Sequence, residues 1–316
     1  MKYLEFDGNK LSKIALGAAD FGAGVNKTDS FALMDEYVRC GGNIIDTGRV
    51  YSAWIEGCAN ASESTIGAWL KERKCRDKVW IATKGGHPPI NQHHVSRINA
   101  QELRKDMEES LRYLQTDYVD IYYLHRDDPQ KDVSEIMPVL NAFVKEGKTR
   151  YIGASNWTAE RIEKANAFAK ANNMAQFTFS EIMWSYAKVN DGGETDDTLV
   201  IMNDTEYEAY RKNGLIVMPF GSQAQGFYTL AKERGVGVLP VRMQLKYCNE
   251  TNLKRLQKIS KISEETGLSP TAVGLNHLLC NKVPTIPIVG GFSLPFLQDS
   301  LRAFDLPQFY CDSLCD

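Results

Sequence analysis

Four side chains in the first half of the chain are of types that can together handle a proton at a carbonyl group. Asp46 and Tyr51 lie in "NIIDTGRVYSAW", Lys84 in "VWIATKGG" and His125 in "DYVDIYYLHRDD". A phenol ionises near pH 10, so at neutrality it is a reluctant acid or base. A neighbouring ammonium favours the phenolate and lowers that value. Asp46 could hold Lys84 charged and oriented, and His125 could donate a hydrogen bond to a carbonyl oxygen. Such a set is a general acid beside a hydrogen-bonded oxygen site, suited to protonating a carbonyl oxygen while a nucleophile reaches its carbon. No serine or cysteine with a base accompanies it, so the simplest nucleophile is a hydride from a cofactor. Taken singly, each residue has an ordinary structural reading. Asp46 fits a helix cap, Tyr51 a packed aromatic, Lys84 a solvated strand end and His125 a core histidine. A strand-end lysine also suits Schiff-base chemistry, a reading that leaves Asp46 without a role.

These residues converge only if the chain brings successive strand ends to one rim. Apolar, β-rich segments end at Gly17, Asp46, Lys84, His125, Ser155, Glu181, Pro219 and Pro287. Helical patterns separate them. Phe31, Met34, Tyr37 and Val38 share one face, and Gly41–Gly42 ends that helix. Ile66, Trp69 and Leu70 mark the next. Leu103, Met107, Leu111 and Leu114 form a stripe with Ser96 or Asn99 as its cap. Ile136, Leu140, Phe143 and Val144 form another, and Pro138 within it predicts a kink or a late start. Ile162 and Phe168 follow Thr158. The interval before the last strand has room for two or more extra helices. Eight strand–helix units predict an α/β fold, a (β/α)8 barrel spanning 1–316 as one domain, with extra helices near the C-terminus. "KYLEF" and "KIALGAA" around "DGNK" predict a short N-terminal hairpin. An open doubly wound sheet is disfavoured, because "LGAADFGAGVNKTDS" lacks a G-x-G-x-x-G loop.

Composition narrows the function classes. The 316 residues are 43% hydrophobic with a net charge of −3, which gives neither a nucleic-acid surface nor a polybasic membrane patch. No apolar run approaches the ~18 residues of a membrane span, and "MKYLEFDGNK" has no apolar signal region. The seven cysteines are odd in number and scattered, which suits reduced thiols in a cytoplasm. Cys311 and Cys315 lack further ligands nearby, so no metal site is expected. "NDGGETDDT", 190–198, reads as a solvated acidic loop without chemistry.

The segments "NIIDTGRVYS", "SESTIGAWL", "VWIATKGG", "DYVDIYYLHRDD", "GKTRYIGASNW" and "VMPFGSQAQGF" make the chain resemble an aldo-keto reductase over nearly its whole length. The resemblance implies a (β/α)8 barrel that reduces an aldehyde or ketone to an alcohol with NAD(P)H. It also implies that Asp46, Tyr51, Lys84 and His125 are the catalytic tetrad, with Tyr51 the proton donor. Ser155 and Asn156 match residues that hold the nicotinamide carboxamide. Glu181 stands in the slot of a glutamine with that task, and a carboxylate can accept from the amide but not donate to it. Phe220 takes the slot of a tyrosine that stacks on the nicotinamide ring. Ser222 and Ser293 match phosphate contacts.

Phe292 and Phe296 stand where the family carries the cations that grip a 2′-phosphate, and Asp299 and Ser300 fill slots facing the adenine. The cofactor is thus NADP(H) or NAD(H): NADH is used, another loop supplies a cation, or binding is weak. Trp54, which could floor a sugar or an aromatic carbonyl, lies where the family shapes its substrate pocket. So does the loop with His87, His93 and His94. The family also contains barrels that sense cofactor as channel subunits, so the alternative is a regulatory barrel with little turnover. The sequence leaves the oligomeric state open.

Overall fold

The computed structural model describes residues 1–315. Its first element is an antiparallel hairpin, β1 (Tyr3–Phe6) and β2 (Asn9–Ser12), paired Phe6 to Asn9 across a two-residue turn. Both turn residues, Asp7 and Gly8, have positive φ, at 47° and 71°. That is the backbone a tight hairpin requires, and Asp-Gly supplies it at low cost.

Eight parallel strands follow: β3 (Ala15–Gly17), β4 (Ile44–Asp46), β5 (Trp80–Gly85), β6 (Val119–Leu124), β7 (Thr149–Ser155), β8 (Phe177–Glu181), β9 (Ile216–Val217) and β10 (Ile288–Gly290). Neighbours in sequence are neighbours in the sheet, and β10 pairs with β3. The barrel closes through residues 284–288: Val217 N–H donates to Pro284 O, Ile286 N–H to Val217 O and Ile288 N–H to Pro219 O.

This seam corrects the expected last strand. "PTIPI" lies along β9 with a single bridge from Thr285 to Val217, and regular pairing begins only at Ile288, after Pro287. Pro284 and Pro287 have no N–H to give, although their carbonyls accept from Val217 and Ala15. The seventh strand likewise stops at Val217, short of Pro219.

Strand alternation sorts the side chains into two cores. Ala15, Ile44, Trp80, Ala82, Ile121, Tyr123, Phe179, Ile216, Met218, Ile286 and Ile288 pack together inside the barrel. Leu16, Ile45, Ile81, Tyr122, Ile152, Val217 and Val289 point outward into the helical layer. Phe6 of the hairpin seals the floor, its ring 5.0 Å from Tyr151 and 5.1 Å from Phe179. The interior is therefore filled from below, as barrels of this kind require, and the open end is the top.

The helices start where short polar side chains can cap them. Asn26, Asn99 and Thr158 accept from backbone N–H groups at the starts of Lys27–Arg39, Ala100–Leu114 and Ala159–Ala171. Helix Val133–Lys145 opens with a capping box of Asp132 and Glu135, five residues before Pro138, so it does not begin late. Four helices, Phe227–Arg234, Val241–Tyr247, Glu250–Thr266 and Pro270–Cys280, fill the interval before β10. The acidic stretch 190–198 is a loop only partly solvated: Asp191, Gly192, Thr195 and Asp197 are exposed, while other residues of it are tied down. Glu194 is half-buried and paired with Lys246, and Asp196 holds Arg126 and Thr198, because the stretch folds down onto helix Val241–Tyr247 and the barrel mouth. The spacing of Cys311 and Cys315 involves a side chain, that of Cys315, outside the described residues.

Candidate active site

The same alternation that fills the barrel builds its top layer. Ile44, Ala82, Tyr123 and Phe179 point inward, so the residues two further along, Asp46, Lys84, His125 and Glu181, point inward as well, above the apolar interior. Ser155 lies opposite Glu181 in the β7–β8 register. Gly153 leaves room for the Tyr123 ring, since a Cβ there would fall 2.3 Å from it.

Lys84 is fully buried, and its ammonium is the hub of the site. Nζ donates to both Asp46 oxygens at 2.7 Å and to Thr47 O at 2.9 Å, and it lies 3.3 Å from Glu181 Oε2. Burial pushes its pKa down, but the Asp46 and Glu181 carboxylates outweigh burial and raise it. An amine so held stays protonated, which removes the free lone pair a Schiff base needs. Asp46 and Glu181 are both pushed up by burial. Glu181 reaches about 8, with the Asp46 charge as its second cause.

Tyr51 sits on the loop after β4 with its ring centre 4.8 Å from Lys84 Nζ and 5.5 Å from the His125 ring. The expected lowering of its pKa is corrected. Lys84 does favour the phenolate, but burial raises the pKa more, and Asp46 and Glu181 add to the rise. Tyr51 is therefore a phenol at neutral pH, a proton donor rather than a base. His125 is pushed well below the ordinary imidazole value by burial, then by His87, Arg126 and Lys84. It is neutral at pH 7, and its Nδ1 has no hydrogen-bond partner.

Gly48 separates the two rings. A Cβ there would stand 3.3 Å from His125 Cε1 and 3.3 Å from Tyr51 Cε1. Gly48→Ala should push the rings apart and lower kcat by about 10–100-fold with the fold intact, because small misplacements at a reacting centre cost that much. Steady-state kinetics with circular dichroism checks it, and unchanged kcat would mean the spacing is slack.

A cleft of about 340 Å³ opens above these residues, lined by Tyr51, His125, Ser155, Glu181, Phe220 and Phe292 among others. Asn156 holds a left-handed φ of 59° and is largely engaged, giving its amide to His125 O and Ser155 Oγ and accepting from Val200 N–H. Ser155, which accepts from Asn156, keeps its own hydroxyl hydrogen for the cleft. The Ser222 hydroxyl donates to Ile288 O, which leaves backbone N–H groups rather than the side chain to face a ligand. Ser293 precedes helix Leu294–Leu301 without capping it, so that N-terminus is open. Phe292 and Phe296 are 62% and 65% exposed, and Phe292 lines the cleft beside Gly290. Asp299 accepts from Ser269, and Ser300 from Gln223, so the two slots expected at the adenine are tied into the fold.

Trp54 and His87 border the site without lining the cleft. Trp54 is half exposed, 6.0 Å from the Tyr51 ring, and His87 stands edge-on to His125 at 4.6 Å. His87 is lowered to about 4 by burial and the Arg126 charge, while His93 and His94 lie beside Asp196 and Asp197. Sequence reasoning missed the contact of Glu181 with Lys84, the Thr47 carbonyl and the placement of Arg126 in the cleft wall. Counting two residues on from Phe179 would have found the first.

A profile described as the aldo/keto reductase family matches residues 13–313. The chain is 28% identical to norsolorinic acid reductase B of Dothistroma septosporum, covering 94% of this chain and 75% of that protein. It is 28% identical to aldo-keto reductase ausK of Aspergillus calidoustus, over 95% and 76%, and 26% identical to an aryl-alcohol dehydrogenase of Pestalotiopsis microspora, over 89% and 69%. With an (β/α)8 barrel and a match over nearly its whole length, this chain is an oxidoreductase that belongs to the aldo/keto reductase family.

Proposed function

We propose that the protein interconverts an aromatic aldehyde or ketone and its alcohol with NADH, and that Tyr51 supplies the proton. The observation that carries this reading is the Tyr51 phenol, held between Lys84 and His125 at the floor of the cleft. The nicotinamide, when bound, supplies the hydride. Tyr51 gives its proton to the carbonyl oxygen as charge develops there. Neutral His125 fixes that oxygen with a hydrogen bond. Lys84 steadies the phenolate left behind, and Asp46 keeps Lys84 in place.

The residues present fit such a dinucleotide except at one point. The Ser155 hydroxyl can donate to the carboxamide oxygen, Phe220 offers a ring face, and the backbone after Phe220 and the open helix start at Ser293 suit a pyrophosphate. No cation accompanies Phe292. Among the described residues lining the cleft the only cation is Arg126, which Asp196 and Thr198 hold. This supports NADH, or at least no preference for NADPH. Fluorescence titration should give NADH an affinity equal to or tighter than that of NADPH. Phe292→Arg should improve NADPH by about 10–100-fold, the worth of one charge-assisted hydrogen bond at about 1.5–3 kcal/mol. A strong NADPH preference in the unaltered protein would place the phosphate elsewhere.

The aromatic substrate rests on Trp54 beside Tyr51 and on the names of the similar reductases and dehydrogenases. A panel of aryl aldehydes, aryl ketones and sugars tests it, and turnover of the sugars alone would reject it. Five of the described cysteines, Cys40, Cys58, Cys75, Cys248 and Cys311, carry free thiols, which supports a reducing, cytoplasmic setting. The assembled tetrad favours turnover over a purely sensing role.

A further inference from the structure

Glu181 gives this site one carboxylate more than its ammonium balances. Asp46 already takes Lys84 Nζ with both oxygens at 2.7 Å, and Glu181 Oε2 reaches the same nitrogen at 3.3 Å without a hydrogen bond of its own. Glu181 is 2% exposed, ends β8 opposite Ser155, and lines the cleft. An unbalanced buried charge is costly, so a proton on one of the two carboxyls relieves it. A second relief is a positive charge arriving in the cleft. The oxidised nicotinamide ring carries one and the reduced ring does not.

We propose that Glu181 is a redox-sensing positioning residue: it is a neutral acid beside the reduced cofactor and ionises beside the oxidised one, so that binding of the oxidised form releases a proton. The inference rests on the reading that Ser155 and Glu181 face the nicotinamide. As an acid, Glu181 presents both a donor and an acceptor to the carboxamide, as an amide would. As a carboxylate, it faces the cationic ring, and its proton leaves through the cleft to solvent.

The groups around Glu181 leave this titration to the carboxyls. Tyr51 and Tyr123 lie above the ordinary phenol value, Lys84 above the ordinary ammonium value and His125 well below the imidazole value, each chiefly through burial except Lys84, where the carboxylates prevail. Asp46, on β4, keeps both oxygens on Lys84. Arg126, in the cleft wall, is held by Asp196 and Thr198. Glu181 itself is held up to about 8 by burial and by Asp46.

The sign follows by linkage. A ligand that prefers the ionised form binds more tightly as pH rises through the free-protein value, and one that prefers the acid binds more weakly. NAD+ and NADH titrated by fluorescence and calorimetry from about pH 6 to about pH 10 should show the ratio Kd(NADH)/Kd(NAD+) rising by about tenfold or more, within the usual size of coupling between two sites. In Glu181→Gln the ratio should be flat. Calorimetry in two buffers of different ionisation enthalpy should show proton release on NAD+ binding below about pH 8 in the unaltered protein and none in the variant. A flat ratio in the unaltered protein, or an equal slope in Glu181→Gln, overturns the inference while leaving the cofactor reading in place. No binding of NAD+, NADH, NADP+ or NADPH at any pH overturns both. Glu181→Gln is near-isosteric and removes the surplus charge, so it should fold, and its circular dichroism checks that.

Discussion

Tyr51→Phe will reduce carbonyl turnover by roughly 10²–10⁴-fold, the usual contribution of a positioned general acid. Dinucleotide affinity should change by less than about threefold, since only a hydroxyl at the cleft floor is lost. The reason lies in the surroundings of the phenol. Tyr51 is half-buried beside an ammonium, yet the desolvation of its phenol and two carboxylates keep it protonated. A neighbouring group cannot replace it. His125 is neutral and far less acidic than an imidazolium, and Lys84 is locked to Asp46 and Thr47. Water can enter the cleft but lacks the fixed orientation. Steady-state reduction of an aryl aldehyde, with fluorescence titration of the cofactor, separates the two effects. Turnover within about tenfold of the unaltered protein would remove Tyr51 as the acid. Lost affinity with unchanged kcat would make it a binding residue instead.

The convergence of Asp46, Tyr51, Lys84 and His125 was legible because period-two alternation and strand ends are local properties. Asp46, Lys84 and His125 each end or adjoin a run of apolar residues, and a barrel brings those ends to one rim. What the residue types did not reveal was balance. An ammonium beside Tyr51 suggested a lowered pKa, but the sum depends on burial and on Glu181, a residue far along the chain. Three-dimensional charge counting is invisible to spacing. The β9–β10 seam was misplaced for a similar reason. "PTIPI" has the composition of a strand, but its two prolines give no N–H, so its pairing depends on what its neighbours donate. The acidic stretch 190–198 was only half read, because composition shows its exposed residues, such as Asp191 and Asp197, but not the ones that are tied down. Its partners, Lys246 and Arg126, come from distant segments.

Lys84→Met should destabilise the fold strongly. The substitution keeps the length of the side chain and its packing on the barrel interior but removes the only cation within contact of Asp46 and Glu181 among the described residues. Removing one partner of a buried pair typically costs about 3–5 kcal/mol, because the other charge is left without compensation. Here two carboxyls are left, and each must take up a proton or stay buried as an anion. Their folded pKa values, already raised by burial, then rise further above their unfolded ones. A group raised in this way stabilises the fold below its unfolded value and loses that contribution as pH rises through the folded one. The deficit relative to the unaltered protein should therefore be small near the ordinary carboxyl range and grow as pH rises from there. Urea unfolding at several pH values measures it. Adding Asp46→Asn should recover part of the loss, with a coupling of about 0.5–3 kcal/mol, since residues in one network are not independent. If the single variant is as stable as the unaltered protein at every pH, Lys84 is not holding two buried carboxyls, and the charge imbalance inferred for Glu181 falls with it.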